Sequence, residues 1–290
     1  MLILIKRITT MLAAFVVTLG IALAPGPGAH AAGGPYSYAG RYDGMTAAER
    51  VSATGASARI QAWSIPTTCC YGNHALGELA VQRTGTATGT NRDMTVEVGY
   101  MNQNNTGLHL FVSHTINGVW QGLSTGFSAC STTVTTPGCT APAWIEIDNA
   151  LSSNGQYTMK WQYAHVGQSD EGWWLYVQGT GACPAGKTCW LGVYKKTRWS
   201  TASPAITDPG KIDLVQAFGE TYDTGSHCTN MGTGGFAGAG TGALIDQLDV
   251  LGITTDDFGG DITTDPTWYN SLNVTTSPTL SFRYGGPGAC

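Results

Sequence analysis

Two glutamates in apolar, strand-like segments are the residues of this sequence best suited to acid–base chemistry. The chain contains only six Glu; one, Glu97, lies in the segment DMTVEVGY, and another, Glu220, lies in DLVQAFGETY. Ionising a carboxyl in apolar surroundings costs several kcal/mol unless a partner faces it. Two such carboxyls can share one proton, activate a water and protonate a leaving group. Glu97 and Glu220 are therefore the candidate catalytic pair.

Alternation along each strand predicts the direction of each glutamate. Four apolar side chains of residues 93–100 share one face of their strand: Met94, Val96, Val98 and Tyr100. Because successive side chains point to opposite faces, Glu97 points away from these residues. Glu220 has the same parity as Phe218, and this leaves two alternatives. Either a bulge at Gly219 redirects Glu220, or its face is a cleft lined with large side chains.

The rest of the sequence predicts an all-β fold that positions these strands. Short β-rich runs recur between turn residues: ARIQAWSI, GELAVQRT, MTVEVGY, LHLFVSHT, TMKWQYAH, GWWLYVQG, CWLGVYKK, IDLVQAFGETY, ALIDQLDV and TLSFRY. They predict about ten to twelve strands. Only Thr46–Ala53 has a helical pattern, with Thr46 as its cap three residues before Glu49. Since no helices alternate with the strands, the fold class is all-β and antiparallel, either a sandwich or a barrel.

The N-terminal residues have the features of a secretory signal peptide. Lys6 and Arg7 precede the apolar run Met11–Ala24, and Ala29–Ala31 has the small-x-small pattern of a cleavage site. The apolar run is shorter than the roughly 20 residues of a membrane span, so we expect a secreted protein. The chain divides into a signal peptide over residues 1–31, a short N-terminal segment over 32–58 and one domain over 59–290.

Composition and charge exclude some partners. Charged residues make up 11% of the chain, against about 25% in ordinary soluble proteins. The formal charge of −5 becomes −7 (−5 − 2) when Lys6 and Arg7 leave with the signal peptide. The sequence has no basic patch, so we expect no nucleic-acid partner. It has no later segment suited to a membrane, and we expect a monomer without a cofactor.

The cysteines predict disulfide bonds. All eight follow the signal segment, and an even number in an exported protein indicates disulfides. Two pairs close short loops: Cys130 with Cys139, and Cys183 with Cys189. Four others remain: Cys69, Cys70, Cys228 and Cys290. A bond between the adjacent Cys69 and Cys70 would be strained, so we expect these two to pair with the other two, in either order. The spacing fits no common zinc pattern, so we expect no metal.

Three further motifs have structural rather than catalytic interpretations. Gly122–Gly126 matches G-x-S-x-G, but no helical pattern follows it, and a nucleophile elbow needs a strand, a turn and a helix. His109 and His114 are five residues apart on one strand, so they point to opposite faces and do not form a metal pair. The glycine cluster Gly232–Gly242 lacks the Lys and the βαβ setting of a phosphate loop. It predicts turns or close backbone packing.

Motifs along most of the chain resemble those of one protein family. In order they are ARIQAWSIP, LAVQRTGT with MTVEVGY, LHLFVSHTINGVWQGLSTGFSAC, EGWWLYVQG, CWLGVYKKTRW, AFGETYD, MGTGGFAGAGTGA and FRYGGPGAC. Together they resemble the neprosin family, which are secreted glutamic endopeptidases that cleave next to proline. MTVEVGY resembles the family's Glu-x-Gly-Trp pattern, with Tyr100 in place of Trp. AFGETYD resembles its Gly-Gly-Glu-Val strand, with Phe218 in place of the first Gly.

The resemblance, to a bacterial-type member without a long pro-region, implies both a fold and an activity. The implied fold is a β-sandwich of two stacked antiparallel sheets with a cleft on the concave face. The family's two catalytic glutamates map onto Glu97 and Glu220. The implied activity is hydrolysis of peptide bonds next to proline, by general acid–base catalysis with an activated water at acid pH. The partner is then a peptide or protein substrate that contains proline.

Further residues are assigned around the glutamate pair. We assign Glu220 as the base and Glu97 as the acid. Three residues are candidate oxyanion or orienting groups in the substrate cleft: Gln82, Gln216 and Tyr222. Trp173 and Trp174 point to opposite faces of their strand, so one is expected in the core and the other in a groove. We place Trp174 in the substrate cleft.

Two other functions fit the same residues. Glycoside hydrolases also use two carboxylates, and some are β-sandwiches. A secreted carbohydrate-binding module would have a similar surface, rich in Thr, Trp and Gly. The three functions differ in product: a peptidase releases new amines, a glycosidase releases reducing sugar, and a binding module cuts nothing.

Overall fold

The computed structural model describes residues 36–64, 74–83, 94–103, 107–133, 136, 138–222, 229–238, 240–264, 266, 268–275 and 280–287. The predicted signal peptide and four of the cysteines, Cys69, Cys70, Cys228 and Cys290, lie outside these residues. The predictions made for them therefore stay predictions.

The described residues form sixteen strands and two short helices. Their bounds are β1 Tyr36–Gly44, α1 Glu49–Ser52, β2 Gly55–Gln61, β3 His74–Arg83, β4 Met94–Gln103, β5 Leu108–Ile116, β6 Val119–Trp120, β7 Ser128–Ala129, β8 Gln156–Ala164, β9 Gly172–Gln178, β10 Trp190–Lys195, α2 Thr197–Ser200, β11 Leu214–Tyr222, β12 Met231–Gly232, β13 Ala243–Leu251, β14 Gly260–Asp261, β15 Asn270–Thr275 and β16 Leu280–Gly286.

The strands form two large antiparallel sheets. One has seven strands in the order β14-β1-β11-β3-β4-β5-β6, and the other has nine, in the order β12-β16-β13-β2-β8-β9-β10-β7 with β15 paired to β16. Each of the ten runs quoted above overlaps one of the longer strands. The predicted all-β class is confirmed, and of the two architectures that the residues left open, the structure has the sandwich.

The first strand, β1, lies in the segment 32–58 that the sequence analysis sets apart from the domain. It nevertheless pairs with β11 along its whole length, from Tyr36 opposite Tyr222 to Gly44 opposite Leu214. The next strand, β2, also begins before residue 59 and pairs with β8 and β13. Residues 36–58 are therefore part of the sandwich.

The core lies between the two sheets. The seven-stranded sheet contributes fully buried side chains such as Leu79, Val81, Val96 and Val98. The nine-stranded sheet contributes Trp161, Trp173, Leu175 and Phe282. Burying each such side chain stabilises the fold by about 1.5–3 kcal/mol. Alternation along β3, β4 and β11 then places the intervening side chains on the outer face of the seven-stranded sheet.

The two helices are single turns. At α1, Thr46 Oγ1 accepts a hydrogen bond from the Glu49 N–H at 3.4 Å, and the Glu49 carboxylate accepts one from the Thr46 N–H at 2.7 Å. This reciprocal cap is the one that the sequence predicts. The second helix, α2, was not predicted. It is stabilised from outside its own sequence, because Trp199 is buried and donates its indole N–H to the Thr115 carbonyl at 2.9 Å.

Both predicted short-loop disulfides are confirmed. Cys130 is bonded to Cys139, with 5.9 Å between the Cα atoms, and Cys183 is bonded to Cys189, with 5.8 Å. In the part of the chain that the structure describes, no helix is long and apolar enough to cross a membrane.

Candidate active site

Glu97 and Glu220 lie on the same face of the seven-stranded sheet. On β4, Glu97 is directly opposite Ala80 of β3, and on β11, Glu220 is directly opposite Leu76 of the same strand. Directly opposed residues share a face, and so do residues 76 and 80, which are an even number of positions apart. This is the outer face, since Leu79 of β3 points into the core. The sheet therefore places the two glutamates on the same outer face, on the two strands that flank β3.

The structure rules out one of the two alternatives for Glu220, the bulge at Gly219. Pairing of β11 with both β1 and β3 runs without a register shift from Leu214 to Tyr222. No bulge at Gly219 redirects the side chain, so Glu220 shares its face with Phe218. That face carries large aromatic side chains, as the second alternative requires, and Tyr38 packs against Phe218 with 5.8 Å between ring centroids.

A third glutamate, Glu78, lies between Glu97 and Glu220 on the same face. It is on β3, the strand between β11 and β4, opposite Phe218 on one side and Gly99 on the other. Glu97 and Glu220 are each one diagonal step from Glu78, which corresponds to about 7–8 Å between Cα atoms. All three side chains are 0% exposed. They form a diagonal row across three neighbouring strands, called here the carboxyl row.

The two outer members of the carboxyl row each have a hydrogen-bond donor. Ser113 of β5, directly opposite Glu97, donates its hydroxyl to Glu97 Oε2. His74 Nε2 lies 2.8 Å from Glu220 Oε1. Each end of the carboxyl row therefore has its own hydrogen-bonding partner.

The central member, Glu78, has a different environment. Among the residues that the structure describes, neither of its carboxyl oxygens has a hydrogen-bond partner. Burial raises the pKa of Glu78 well above its usual value, and the charges of Glu97 and Glu220 raise it further. Three carboxyls this close do not all ionise in a buried site. The row therefore retains a proton, and Glu78 is the member that holds it most firmly.

Aromatic rings surround the Glu220 end of the row. Tyr36 of β1 and His74 of β3 flank Tyr222, with ring centroids 4.8 Å and 5.5 Å from it, and the His74 ring is stacked on Tyr222. Tyr36 and Tyr222 are half-buried. The histidine that contacts Glu220 is thus held in place by ring packing on both sides of β11.

Three of the residues assigned to the substrate cleft lie on the outer face with the carboxyl row. Gln216 is opposite Ala80, which is in turn opposite Glu97, so Gln216 and Glu97 flank the small Ala80 side chain. Gln82 lies two residues further along β3. Tyr222 lies two residues beyond Glu220 on β11. Gln82 and Gln216 are buried.

The assignment of Trp174 to this cleft is wrong. Trp174 is on β9 in the nine-stranded sheet, where Gln162 of β8 is its direct partner. It lines a cavity of about 260 Å³ with His165 and Trp190 on the outer face of that sheet. Its neighbour Trp173 points into the core. The two tryptophans point to opposite faces as expected, but both are buried, and the cavity beside Trp174 is on the nine-stranded sheet.

The backbone that carries Glu78 and Glu220 is fixed from the core side by one tyrosine. Tyr284 of β16 packs so closely that a Cβ added at Gly219 would lie 2.2 Å from its ring, and one at Gly77 would lie 2.2 Å from its hydroxyl oxygen. Tyr284 also shares a 2.7 Å hydrogen bond with Tyr100, and both tyrosines are buried. Glycine is required at both positions, each of which immediately precedes a glutamate of the row.

The other motifs of the sequence lie outside this site. Ser124 of the G-x-S-x-G match lies in a turn with φ 51°, and the next described element is the strand β7, not a helix. His114 is buried against Tyr194 and Trp199. His109 points to the opposite face of β5, with Nδ1 2.8 Å from the Asp148 carbonyl. Within the described residues, no group of three His, Cys, Asp or Glu could hold a metal ion.

Sequence reasoning missed three residues of the site: Glu78, Ser113 and His74. A signal for Glu78 was available, because it is another of the six Glu and lies in the predicted strand run GELAVQRT. Its parity there, with Ala80 and Gln82, differs from that of the apolar Leu79 and Val81. The strand order that puts β3 between β4 and β11 was not available from any local pattern.

Comparison with known proteins places the sequence in a family. It matches the family model for Neprosin over residues 76–287, which is most of the chain. No curated protein matches it. Two crystal structures of scytalido-glutamic peptidase are similar, one with a transition state analog inhibitor (9% identity, TM-score 0.41) and one with a peptide-based transition state analog (8%, 0.39); each covers 87% of this chain and 100% of the other. A native glycosidic hydrolase matches over 60% of this chain and 65% of its own, with 9% identity and a TM-score of 0.23.

Proposed function

The chain belongs to the neprosin family, and on that premise we propose that it is a glutamic peptidase that uses Glu97 and Glu220. The observation that carries the proposal is the placement of both glutamates on one buried face, each with its own hydrogen-bond donor. Burying a carboxylate is costly, and peptide hydrolysis requires a general acid and a general base.

In the proposed reaction, water attacks the carbonyl carbon of the scissile peptide bond. Glu220, ionised and held by His74, takes a proton from that water, and the carbon–oxygen bond forms. Glu97, protonated, gives its proton to the amide nitrogen as the carbon–nitrogen bond breaks. The products are a carboxylic acid and an amine, and the pair is left with its proton on Glu220 instead of Glu97. Each proton transfer of this kind contributes about 10²- to 10⁴-fold to the rate.

Orienting groups lie close to the pair. The Ser113 hydroxyl is hydrogen-bonded to one oxygen of Glu97. This bond orients the carboxyl group and therefore its other oxygen as well. The side-chain amide of Gln216, across Ala80 from Glu97, can donate N–H groups to the oxygen that becomes negative in the tetrahedral intermediate. We assign the oxyanion-stabilising role to Gln216, with Gln82 as its neighbour on the same face.

We propose a proline-containing peptide or protein as the substrate. Proline-rich segments bind in grooves lined with aromatic rings, and Tyr36, Tyr38, Tyr222 and Phe218 supply such rings beside Glu220. The carboxyl row itself is buried in this structure. We also propose that the protein is secreted and works at acid pH, where the row keeps the proton that Glu97 must deliver.

The test is direct incubation of the protein with an unstructured, proline-rich protein at a series of pH values from acid to neutral. Mass spectrometry of the fragments identifies each cut. The proposal predicts new amino termini next to proline, and more of them at acid pH. No fragments at any pH would contradict it. Release of reducing sugar from a polysaccharide would favour a glycosidase, and sugar binding without cleavage would favour a binding module.

A further inference from the structure

Glu78 lies between Glu97 and Glu220 but has no role in a mechanism that uses only those two glutamates. Glu97 and Glu220 are two diagonal steps apart, about 15 Å between Cα atoms in a flat sheet, and Glu78 occupies the step between them. After one turnover the proton lies on Glu220, while Glu97 needs it for the next. All three carboxyls are fully buried, so exchange of that proton with bulk water is hindered.

The hydrogen bonds of the row assign a resting position to a proton. Glu97 receives a hydrogen bond from Ser113, and Glu220 shares one with His74. Glu78 receives no such donor among the described residues, and its buried negative charge would be the costliest of the three. The opposite residue on β4 is Gly99, and a Cβ there would lie only 2.8 Å from the Glu78 Cβ, so no side chain of β4 stands between Glu78 and the other two carboxyls.

We propose that Glu78 is a third functional carboxyl, which holds a proton between Glu97 and Glu220 and passes it from one to the other between turnovers. This rests on the proposed peptidase function. After hydrolysis, Glu78 gives its O–H proton to the ionised Glu97 and takes the proton that Glu220 received from water. One proton leaves and one arrives at Glu78, so the row returns to its starting state without an external acid or base.

The other titratable groups near Glu78 do not compete for this role. Tyr38 faces it from β1, and burial together with the charges of Glu220, Glu78 and Glu97 raises the Tyr38 pKa well beyond its usual value. Tyr284 approaches from β16, and burial followed by its contact with Tyr100 raises its pKa as well. Both tyrosines stay neutral. His74 contacts Glu220 rather than Glu78.

The variant that tests the proposal is Glu78→Gln. Gln has the shape of the neutral carboxylic acid but cannot release a proton, so a purely structural role would survive the change. We expect the steady-state kcat to be about 100-fold lower than that of wild type, with KM within about twofold of the wild-type value. The alkaline limb of the pH–rate profile should shift to lower pH. The limb moves because Glu78, which burial keeps protonated to higher pH, is no longer there to hold a proton for Glu97. In a single turnover with excess enzyme at acid pH, product should form near the wild-type rate.

The matched control is Glu146→Gln, because Glu146 is exposed and its carboxylate accepts its hydrogen bonds from Thr132. It should leave kcat and the pH profile unchanged. Glu78→Gln with an unchanged kcat and pH profile would overturn the proposal. So would a first turnover slowed as much as the steady state, since Glu78 would then act in the chemical step and not between turnovers.

A readout independent of activity separates this proposal from the peptidase assignment. Infrared spectroscopy at neutral pH detects the carbonyl band of a protonated carboxyl, at a pH where Asp256, whose pKa burial raises to about 6, is mostly ionised. The band should be present in wild type and in Glu146→Gln and absent in Glu78→Gln. If wild type cleaves no peptide, the peptidase assignment fails, and loss of the band still supports Glu78 as the proton holder. If the band persists in Glu78→Gln, the assignment of the proton to Glu78 is overturned, whatever the activity.

Discussion

Substitution of Gly219 by Ala tests how the core fixes the position of Glu220. A Cβ at this position would lie 2.2 Å from both Cδ2 and Cε2 of Tyr284, whereas carbon atoms in contact are about 3.5–4.0 Å apart. Tyr284 is fully buried and its hydroxyl is bonded to Tyr100 at 2.7 Å. The ring therefore has no free space to move into, and the backbone of β11 must shift.

The magnitude follows from overpacking. Extra atoms in a packed core cost about 1–3 kcal/mol, and this exceeds the roughly 0.4–1 kcal/mol that a strain-free Gly→Ala change gains. For a protein of this size each kcal/mol lowers the melting temperature by about 2–4 °C. We expect Gly219→Ala to melt about 2–12 °C below wild type. Because Glu220 is the next residue, we also expect kcat to fall.

The assay is thermal and urea unfolding of Gly219→Ala beside Gly44→Ala. Gly44 ends β1 on the same sheet, and a Cβ there would meet nothing within 4 Å, so its substitution should be neutral or slightly stabilising. Tyr284→Ala removes the ring, and the double variant with Gly219→Ala should then cost less than the sum of the two. Equal stability of Gly219→Ala and Gly44→Ala would refute the role given to Tyr284.

Two further predictions concern pH. Burial, followed by the charge of Arg198, lowers the pKa of His114 from 6.5 to about 4, so its contribution to stability is complete above pH 6.5 and is lost as pH falls towards about 4. As pH falls over this range, the free energy of unfolding should fall by about 3 kcal/mol less in His114→Gln than in wild type. The same fall in both proteins would contradict this. The pKa of Glu78 is raised instead. The fold therefore loses stability as pH rises above the ordinary pKa of a carboxyl, because the unfolded chain ionises there and the buried Glu78 does not. Glu78→Gln should melt higher than wild type at neutral pH and equally at strongly acid pH, and a difference that did not depend on pH would contradict this.

Local patterns in the sequence predicted the strands and the faces of the glutamates. Alternation in residues 93–100 placed Glu97 opposite to the apolar face, because Val96 and Val98 must enter the core. The cap of α1 followed from Thr46 and Glu49 alone. The short disulfide loops followed from spacing, since cysteines six or nine residues apart close a small loop at little cost in chain entropy.

Strand order and sheet membership were not predictable in this way, because they depend on residues far apart in the chain. Glu78 enters the site only because β3 pairs with β11, whose residues lie more than a hundred positions away. The same holds for β1, whose mixed Tyr, Gly and Ser sequence has no clear apolar face and which finds its partner in β11. Trp174 has a groove-lining environment, but no pattern in EGWWLYVQG tells which sheet it joins.

The most direct test of the account is the rate of peptide hydrolysis at acid pH by Glu97→Gln, Glu220→Gln, the double variant and Glu146→Gln. Each single variant should lower kcat/KM by about 10²- to 10⁴-fold while the melting temperature stays near that of wild type. The double variant should be little slower than either single one, since groups that act as a unit are not additive, and Glu146→Gln should match wild type. Full activity in either single variant, or an equal loss in Glu146→Gln, would contradict the assignment of Glu97 and Glu220 as the catalytic pair.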